Sequence, residues 1–434
     1  MSGLWLPMSP PDAEKEVIQV ANHIYLFDSI GRKYIDGNSG LWNVPLGYSN
    51  QKIKQAVTSQ LLNLPFANPE MFSNPAAELL AETLLAMLPK QFDHVFFTCT
   101  GSESTELAIK TVRKYQQLMR NYNRREIAVF SQSYHGNYYG SMSASGYGSE
   151  YHRGYKPLLS GFLELPLPYA RKKKESSGDE LQILCTQVKE ILEKNRDRLA
   201  AIMIEPILGS AGVIELPSDL LVWVSEFARK NQILVIFDEI STGLGRTGRM
   251  FAFEHLGMIP DVLLLGKGLN NGYLPIGAVV IANSISRAFR MRSELLFHLS
   301  TQNSNPVCCA AAIETLRQIT EDHGKIVREV NEKGVYFAKN LCEALHDKKQ
   351  VSSVRGKGLM LAIEMTQEDE TIPLNGSVLD LIIQSIKNNG VICSGTYIEN
   401  TISCICFFLP YIITKDQMDE VIRVVQKVIS SILI

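Results

Sequence analysis

The chain has 434 residues, with 43 Lys+Arg against 45 Asp+Glu for a formal net charge of −2, 45% hydrophobic and 20% charged residues. These ordinary globular proportions exclude whole-chain disorder, a collagenous repeat and a disulfide miniprotein, and the length suggests two or three domains, or one large domain with a smaller one attached. A general nucleic-acid binder would be clearly basic, so nucleic acid is not a predicted partner.

The first 30 residues carry prolines and acids where a signal peptide needs an apolar core. Next, HIYLFDSIGRKYIDG (23–37) alternates apolar and polar residues on both sides of Ser29-Ile30-Gly31-Arg32, which predicts a hairpin. From about residue 77 the pattern becomes strand-then-helix. Helices are predicted over 76–88 and over 103–120, where Ala108, Val112, Tyr115 and Met119 share one face. Compact apolar runs predict strands at 94–97, 127–131, 200–204, 234–238, 262–265 and 278–281. Their near-continuous hydrophobicity implies cover on both faces, so the predicted class is α/β with a parallel or mixed sheet between helices.

The polar, basic run 170–182 (ARKKKESSGDELQ) breaks this rhythm and reads as a solvated loop. A long helix is predicted around 306–320, after which alternating helix and strand suggest a smaller C-terminal domain from near 321. No run approaches the roughly 18 apolar residues needed to cross a bilayer, so no membrane is predicted. Cysteines stand at 99, 185, 308, 309, 342, 393, 404 and 406, mostly in apolar runs and never as C-x-x-C. They read as buried free thiols, the histidines form no ligand-spaced cluster, and the expectation is a cytoplasmic protein without a metal site.

Three units carry chemistry. In LVIFD (234–238), Asp238 ends a buried strand, where ligands of open α/β sheets bind; a helix cap or a partner for Arg246 is the bland alternative. The following Gly243-Leu-Gly245-Arg-Thr-Gly248 matches G-x-G-x-x-G with Asp261 downstream. Residues 239–242 separate it from the strand, so a dinucleotide site is not supported. In VLLLGKGLNN (262–271), Lys267 closes an apolar strand between two glycines. A lysine there either snorkels to solvent or, desolvated, becomes a nucleophilic amine. In HVFFTCTGSESTELAIK (94–110), a strand runs through Thr100-Gly101-Ser102 into a helix. That junction is either an ordinary N-cap or an anion site suited to phosphate. A phosphate anchor, a carboxylate and a strand-end lysine together match what pyridoxal phosphate requires.

The series TGSESTELAIK (100–110), SYHGNYYG (133–140), IEPILGSAGV (204–213), DEISTGLGRTGR (238–249), GKGLNNGYLPIGA (266–278) and TQNSNPVCCAAA (301–312) resembles the class III aminotransferases of the fold type I pyridoxal-phosphate superfamily. With LFDSIGRKYIDGNSGLWNVPLGY (26–48) the resemblance covers about residues 20–320, and GLW-x-V is nearest to the omega-amine transaminases. It implies a large cofactor-binding domain over 61–320, with 1–60 and 321–434 forming a smaller α+β domain. Lys267 resembles the family's Schiff-base lysine and Asp238 the partner of the pyridine nitrogen. Gly101 and Ser102 resemble its phosphate loop, Tyr134 and Ile240 the residues on the two ring faces, and Glu205 the acid of its E-P motif. Trp42 resembles an aromatic of the substrate entrance. Thr301 resembles a threonine that reaches the phosphate of a neighbouring subunit, which implies a homodimer.

The resemblance implies ping-pong transfer of an amino group from an amine or amino acid to an aldehyde or ketone, with Lys267 as general acid–base. An amino-acid racemase, epimerase or aminomutase on the same fold is the alternative. One departure concerns substrate. Cys406 stands where amino-acid-specific members offer an arginine to the substrate carboxylate, Ser394 is nearest to a second arginine position, and no arginine occurs between 356 and 422. Cysteine cannot replace bidentate carboxylate capture, so either a different residue binds the carboxylate or the preferred acceptor or donor lacks one at that position, and an acceptor with a sizeable apolar part is predicted.

Overall fold

Seven strands, most of them too hydrophobic to face water, line up in one sheet at the centre of the molecule. The computed structural model describes residues 3–171, 177–368 and 371–433. In chain order the strands are β1 (Ile18–Asn22), β2 (Tyr25–Asp28), β3 (Lys33–Asp36), β4 (Phe92–Thr98), β5 (Glu126–Phe130), β6 (Phe162–Leu165), β7 (Leu199–Ile204), β8 (Ile207–Leu208), β9 (Ile214–Glu215), β10 (Leu234–Asp238), β11 (Val262–Leu265), β12 (Gly277–Ala282), β13 (Val351–Lys357), β14 (Met360–Met365), β15 (Val391–Ile392), β16 (Ser394–Ile398) and β17 (Ile402–Phe408).

The central sheet has the order β4-β12-β11-β10-β7-β5-β6. Neighbours among β6, β5, β7, β10 and β11 are parallel, while β12 pairs antiparallel with both β11 and β4. Every residue of β7, β10, β11 and β12 is buried, as the unbroken apolar runs require when helices cover both faces. The six predicted strands all form, with ends moved by at most two residues. β6 went unanticipated because it is an edge strand, half-buried and without a continuous apolar run.

The predicted hairpin is β2–β3, which pairs antiparallel with β1 on one side and parallel with β15 on the other. A second four-stranded sheet, β13-β14-β17-β16, is antiparallel throughout. The helix Lys415–Ile432 packs its buried Met418, Val421, Ile422 and Val425 into the core that this sheet shares with Phe337 and Leu341.

Three expectations are corrected. A helix occupies Ser177–Asn195, so the polar stretch 177–182 is its first turns rather than loop. Asp179 and Glu180 favour that end through the helix dipole, while 172–176 lie outside the described residues. The helix that begins at Pro306 continues to Ala344 across a break at Glu321–Gly324, where Asp322, His323 and Gly324 all have left-handed backbone. The thiols are free, but Cys342 is exposed and Cys99 and Cys308 are only partly buried. Among the described residues, no helix is long and apolar enough to cross a membrane.

Candidate active site

The strands β4, β5, β7, β10 and β11 all end on the same edge of the sheet, and each leads within five residues to a group that lines one cleft. This is the position that the open α/β geometry assigns to ligands. β4 leads to Gly101 and Ser102, β5 to Tyr134 and His135, β7 to Glu205, β10 to Asp238 and Ile240, and β11 to Lys267. Trp42 arrives from the N-terminal segment, and Ser210 and Ser241 complete the wall.

At the first of these junctions the predicted N-cap forms, and the helix terminus it caps also faces the cleft. Thr100 Oγ1 accepts from Glu103 N at 3.0 Å and so caps the helix Gly101–Leu118, which leaves Gly101 and Ser102 to open its first turn toward the cleft. Backbone packs tightly here. A Cβ on Gly136, whose φ is +131°, would lie 2.5 Å from Ser102 Oγ, and one on Gly101 would lie 2.9 Å from Ile240 Cδ1. Asn137 N donates to Ser102 Oγ at 3.1 Å, closing the loop against the helix.

Asp238 is not a helix cap and does not pair with Arg246. Its Oδ2 lies 2.8 Å from His135 Nδ1 and its Oδ1 accepts from Ile240 N at 3.1 Å. Arg246 instead donates to the carbonyls of Leu359 and Leu409. The G-x-G-x-x-G run is a series of turns against Tyr411 and Asn331. His135 is 1% exposed and its Nε2 has no partner among the described residues. The only signal for His135 in the sequence was its place beside Tyr134; no role followed from that.

Glu205 is fully enclosed, and both its oxygens accept backbone amides: Oε1 from Tyr134 at 2.8 Å and Oε2 from Gly209 at 3.2 Å. Burial raises its pKa to about 7; the nearby His135 opposes this and the Asp238 charge adds to it. Lys267 makes no ion pair among the described residues, and its Nζ lies over the Trp42 ring, 4.5 Å from the centroid. Burial holds its pKa below the ordinary lysine value, against the opposing pull of Asp238 and Glu205. Trp42 stacks on Phe408 with centroids 4.0 Å apart at 15°. Tyr134 lies on the cleft wall with burial raising its pKa, and Ile240 packs on Gly101 and Gly266.

Thr301 is exposed and lies outside this chain's cleft. Ser394 and Cys406 are cross-strand partners in β16 and β17. Cys406 is buried, with its thiol pushed up to about 11, and Ser394 Oγ donates to Asn38 Oδ1 at 3.2 Å.

A cleft with an unpaired lysine, a strand-end carboxyl and an open helix N-terminus defines a pyridoxal-phosphate transferase of fold type I. The chain belongs to the aminotransferase class-III family, whose match spans residues 10–429. An uncharacterised aminotransferase of Bacillus subtilis, YodT, is 31% identical over 427 residues, 96% of this chain and 95% of that protein. A transaminase structure from the marine bacterium Virgibacillus superposes with a TM-score of 0.91 at 30% identity, covering 99% of this chain and 96% of that one. An amine transaminase from an uncultivated Pseudomonas species, solved with pyridoxal phosphate bound, gives a TM-score of 0.91 at 27% identity and covers 99% of both chains. The protein is therefore an enzyme, a transaminase that transfers an amino group with pyridoxal 5′-phosphate as cofactor. The residues fit that cofactor. The cleft combines a glycine-bordered helix terminus, the buried Nε2 of His135, which has no partner among the described residues, beside Asp238, and the desolvated amine of Lys267.

Proposed function

We propose that this transaminase moves an amino group between a donor amine and an aldehyde or ketone recognised through an apolar part rather than a carboxylate. The carrying observation is that Lys267, Asp238 and the terminus of the helix Gly101–Leu118 converge on a cleft among whose described lining residues there is no arginine. An arginine fork is the usual device for a carboxylate, and here serines and Trp42 occupy the wall instead. The cross-strand pair Ser394–Cys406 adds no cation to that side.

In this reading Gly101 and Ser102 hold the cofactor's phosphate, Tyr134 and Ile240 flank its ring, and Asp238 faces the ring nitrogen. Pyridoxal phosphate, when bound, supplies an aldehyde that exchanges amines and a ring that takes up charge from the substrate carbon. The chain supplies the rest. His135 Nδ1 and Ile240 N fix the two oxygens of Asp238, so its charge is aimed without reorganisation. Glu205 ties the backbone of Tyr134 to the turn at Gly209 and thereby sets the ring wall. The Lys267 amine, discharged more readily because it is desolvated, takes a proton from the substrate carbon and returns one. Trp42 closes the substrate side.

The test is Lys267→Ala together with an acceptor panel. The variant retains fold and melting temperature but loses transfer by about 10⁴-fold or more, while the parent prefers aryl or alkyl aldehydes over short dicarboxylic keto acids. Full turnover in the variant overturns the role of Lys267. A strong dicarboxylate preference overturns the substrate class.

We further propose a cytoplasmic homodimer in which Thr301 reaches the neighbouring site. The support is an exposed apolar strip, Leu295, Phe297 and Leu299 at 67%, 84% and 57% exposure, next to Thr301 in the chain. Strips of this kind mark interfaces. Phe297→Asp gives a monomer in light scattering with lost transfer; an active monomeric parent excludes the shared site. The proposed domain division remains 1–60 with 321–434 against 61–320, supported by the pairing of β3 with β15.

A further inference from the structure

The chain between Asp36 and Asn43, beside the cleft, has strained backbone. Ser39 has φ +47°, Gly40 has φ +67° with ψ −112°, and Trp42 has φ +67°. Glycine adopts such angles freely. At a serine and a tryptophan each costs about 1–3 kcal/mol and persists only where the surroundings over-determine it.

One buried carboxyl does so. Asp36 ends β3 and is 1% exposed. Its Oδ1 accepts from Asn38 N at 3.0 Å, and its Oδ2 accepts from Gly40 N at 2.6 Å and from the Tyr48 hydroxyl at 2.5 Å. Burial and the Asp36 charge raise the Tyr48 pKa, so the hydroxyl remains a donor. Three donors offset the cost of burying the charge, and the buried Arg246 lies within its field.

The segment so held aims Trp42. Ser39 Oγ donates to the Phe408 carbonyl at 2.5 Å, and Trp42 Nε1 donates to Asn38 Oδ1 at 3.2 Å. The ring lies flat on Phe408, and a Cβ on Gly209 would be 3.1 Å from its Cζ3. We propose that Asp36 is a positioning residue for substrate size: by holding residues 38–42 in their strained turn it keeps Trp42 against Phe408 and so limits the bulk of the amine accepted. The inference rests on Trp42 being the substrate wall. Asp36 does not itself line the cleft.

The experiment uses Trp5→Phe/Trp223→Phe protein, in which Trp42 is the remaining indole. Acrylamide quenching of Trp42 is measured with Asp36→Asn and Tyr48→Phe, and kcat/KM for isopropylamine and for an aryl-substituted primary amine is measured with these two variants and with Trp42→Ala. Asp36→Asn raises the quenching constant about twofold and the bulky-to-small ratio of kcat/KM about tenfold. Tyr48→Phe moves both in the same direction by less. A folded Asp36→Asn with parental quenching and ratio overturns the inference; if that variant does not fold, parental values in Tyr48→Phe overturn it. A Trp42→Ala variant that leaves the ratio unchanged overturns the wall reading instead, and the quenching result still decides whether Asp36 holds the ring.

Discussion

His135 Nδ1 and Asp238 Oδ2 lie 2.8 Å apart although 103 positions separate them in the chain, and both side chains are almost sealed from water. The imidazole thus orients the carboxyl that faces the cleft, while its own Nε2 stays without a protein partner. A buried donor or acceptor left unpaired costs about 1–3 kcal/mol, a cost that a bound ligand can relieve.

Asp238→Asn removes the charge and keeps the shape. It lowers kcat by about 10²–10³-fold while circular dichroism stays parental. His135→Phe loses less, because Ile240 N still holds Asp238 Oδ1. Steady-state kinetics with one amine donor checks both.

Gly136→Ala places a methyl 2.5 Å from Ser102 Oγ at a backbone φ of +131°. The loop must shift away from the helix terminus. The dissociation constant for pyridoxal phosphate, read by fluorescence titration of the apoprotein, rises about tenfold or more, and stability falls by about 1–3 kcal/mol.

Glu103 supplies a pH prediction. Burial works to raise its pKa, but hydrogen bonds from His298, Asn303, the Cys99 amide and Ser300 prevail and hold it at about 2, against 4.5 when free. A lowered folded-state pKa means that the unfolded chain binds more protons between pH 2 and 4.5. The stabilisation is therefore complete above pH 4.5 and is lost as pH falls through 2. Glu103→Gln destabilises by roughly 2 kcal/mol at pH 7, and the gap to the parent narrows below pH 4.5. Urea melts at pH 7 and pH 3 measure it.

Ser394→Arg introduces a guanidinium on β16, next to Asn38 and opposite Cys406. The preference for a dicarboxylic keto acid over an apolar aldehyde rises by about 10–100-fold, the worth of one charge-assisted hydrogen bond. Cys406→Arg, in a buried strand position, lowers the melting temperature instead. Competition between the two acceptors checks the first variant, and thermal scans the second.

Much of the architecture was legible because its signals are local. Runs such as LVIFD and VLLL are too apolar to be exposed, so both had to be interior strands, and their terminal acid and following lysine had to sit at a sheet edge. The polar stretch 177–182 misled because a helix needs only one buried face, and the loop reading weighed charge rather than period. β6 was missed for the complementary reason: an edge strand can alternate and stay half wet.

The sequence alone determined six of the seven strands of the central sheet, the glycine-bordered helix terminus, and the identity of the strand-end acid and amine, since each depends on residues within a few positions of one another. Tertiary structure decided that His135 rather than Arg246 meets Asp238, that Glu205 is spent on the amides of Tyr134 and Gly209, and that Ser394 faces Cys406 across two strands. Apart from the local Glu205–Gly209 bond, those pairings join different segments of the chain. They arise only when burial makes each polar group find a partner, and which partner is nearest depends on how the sheet and helices pack.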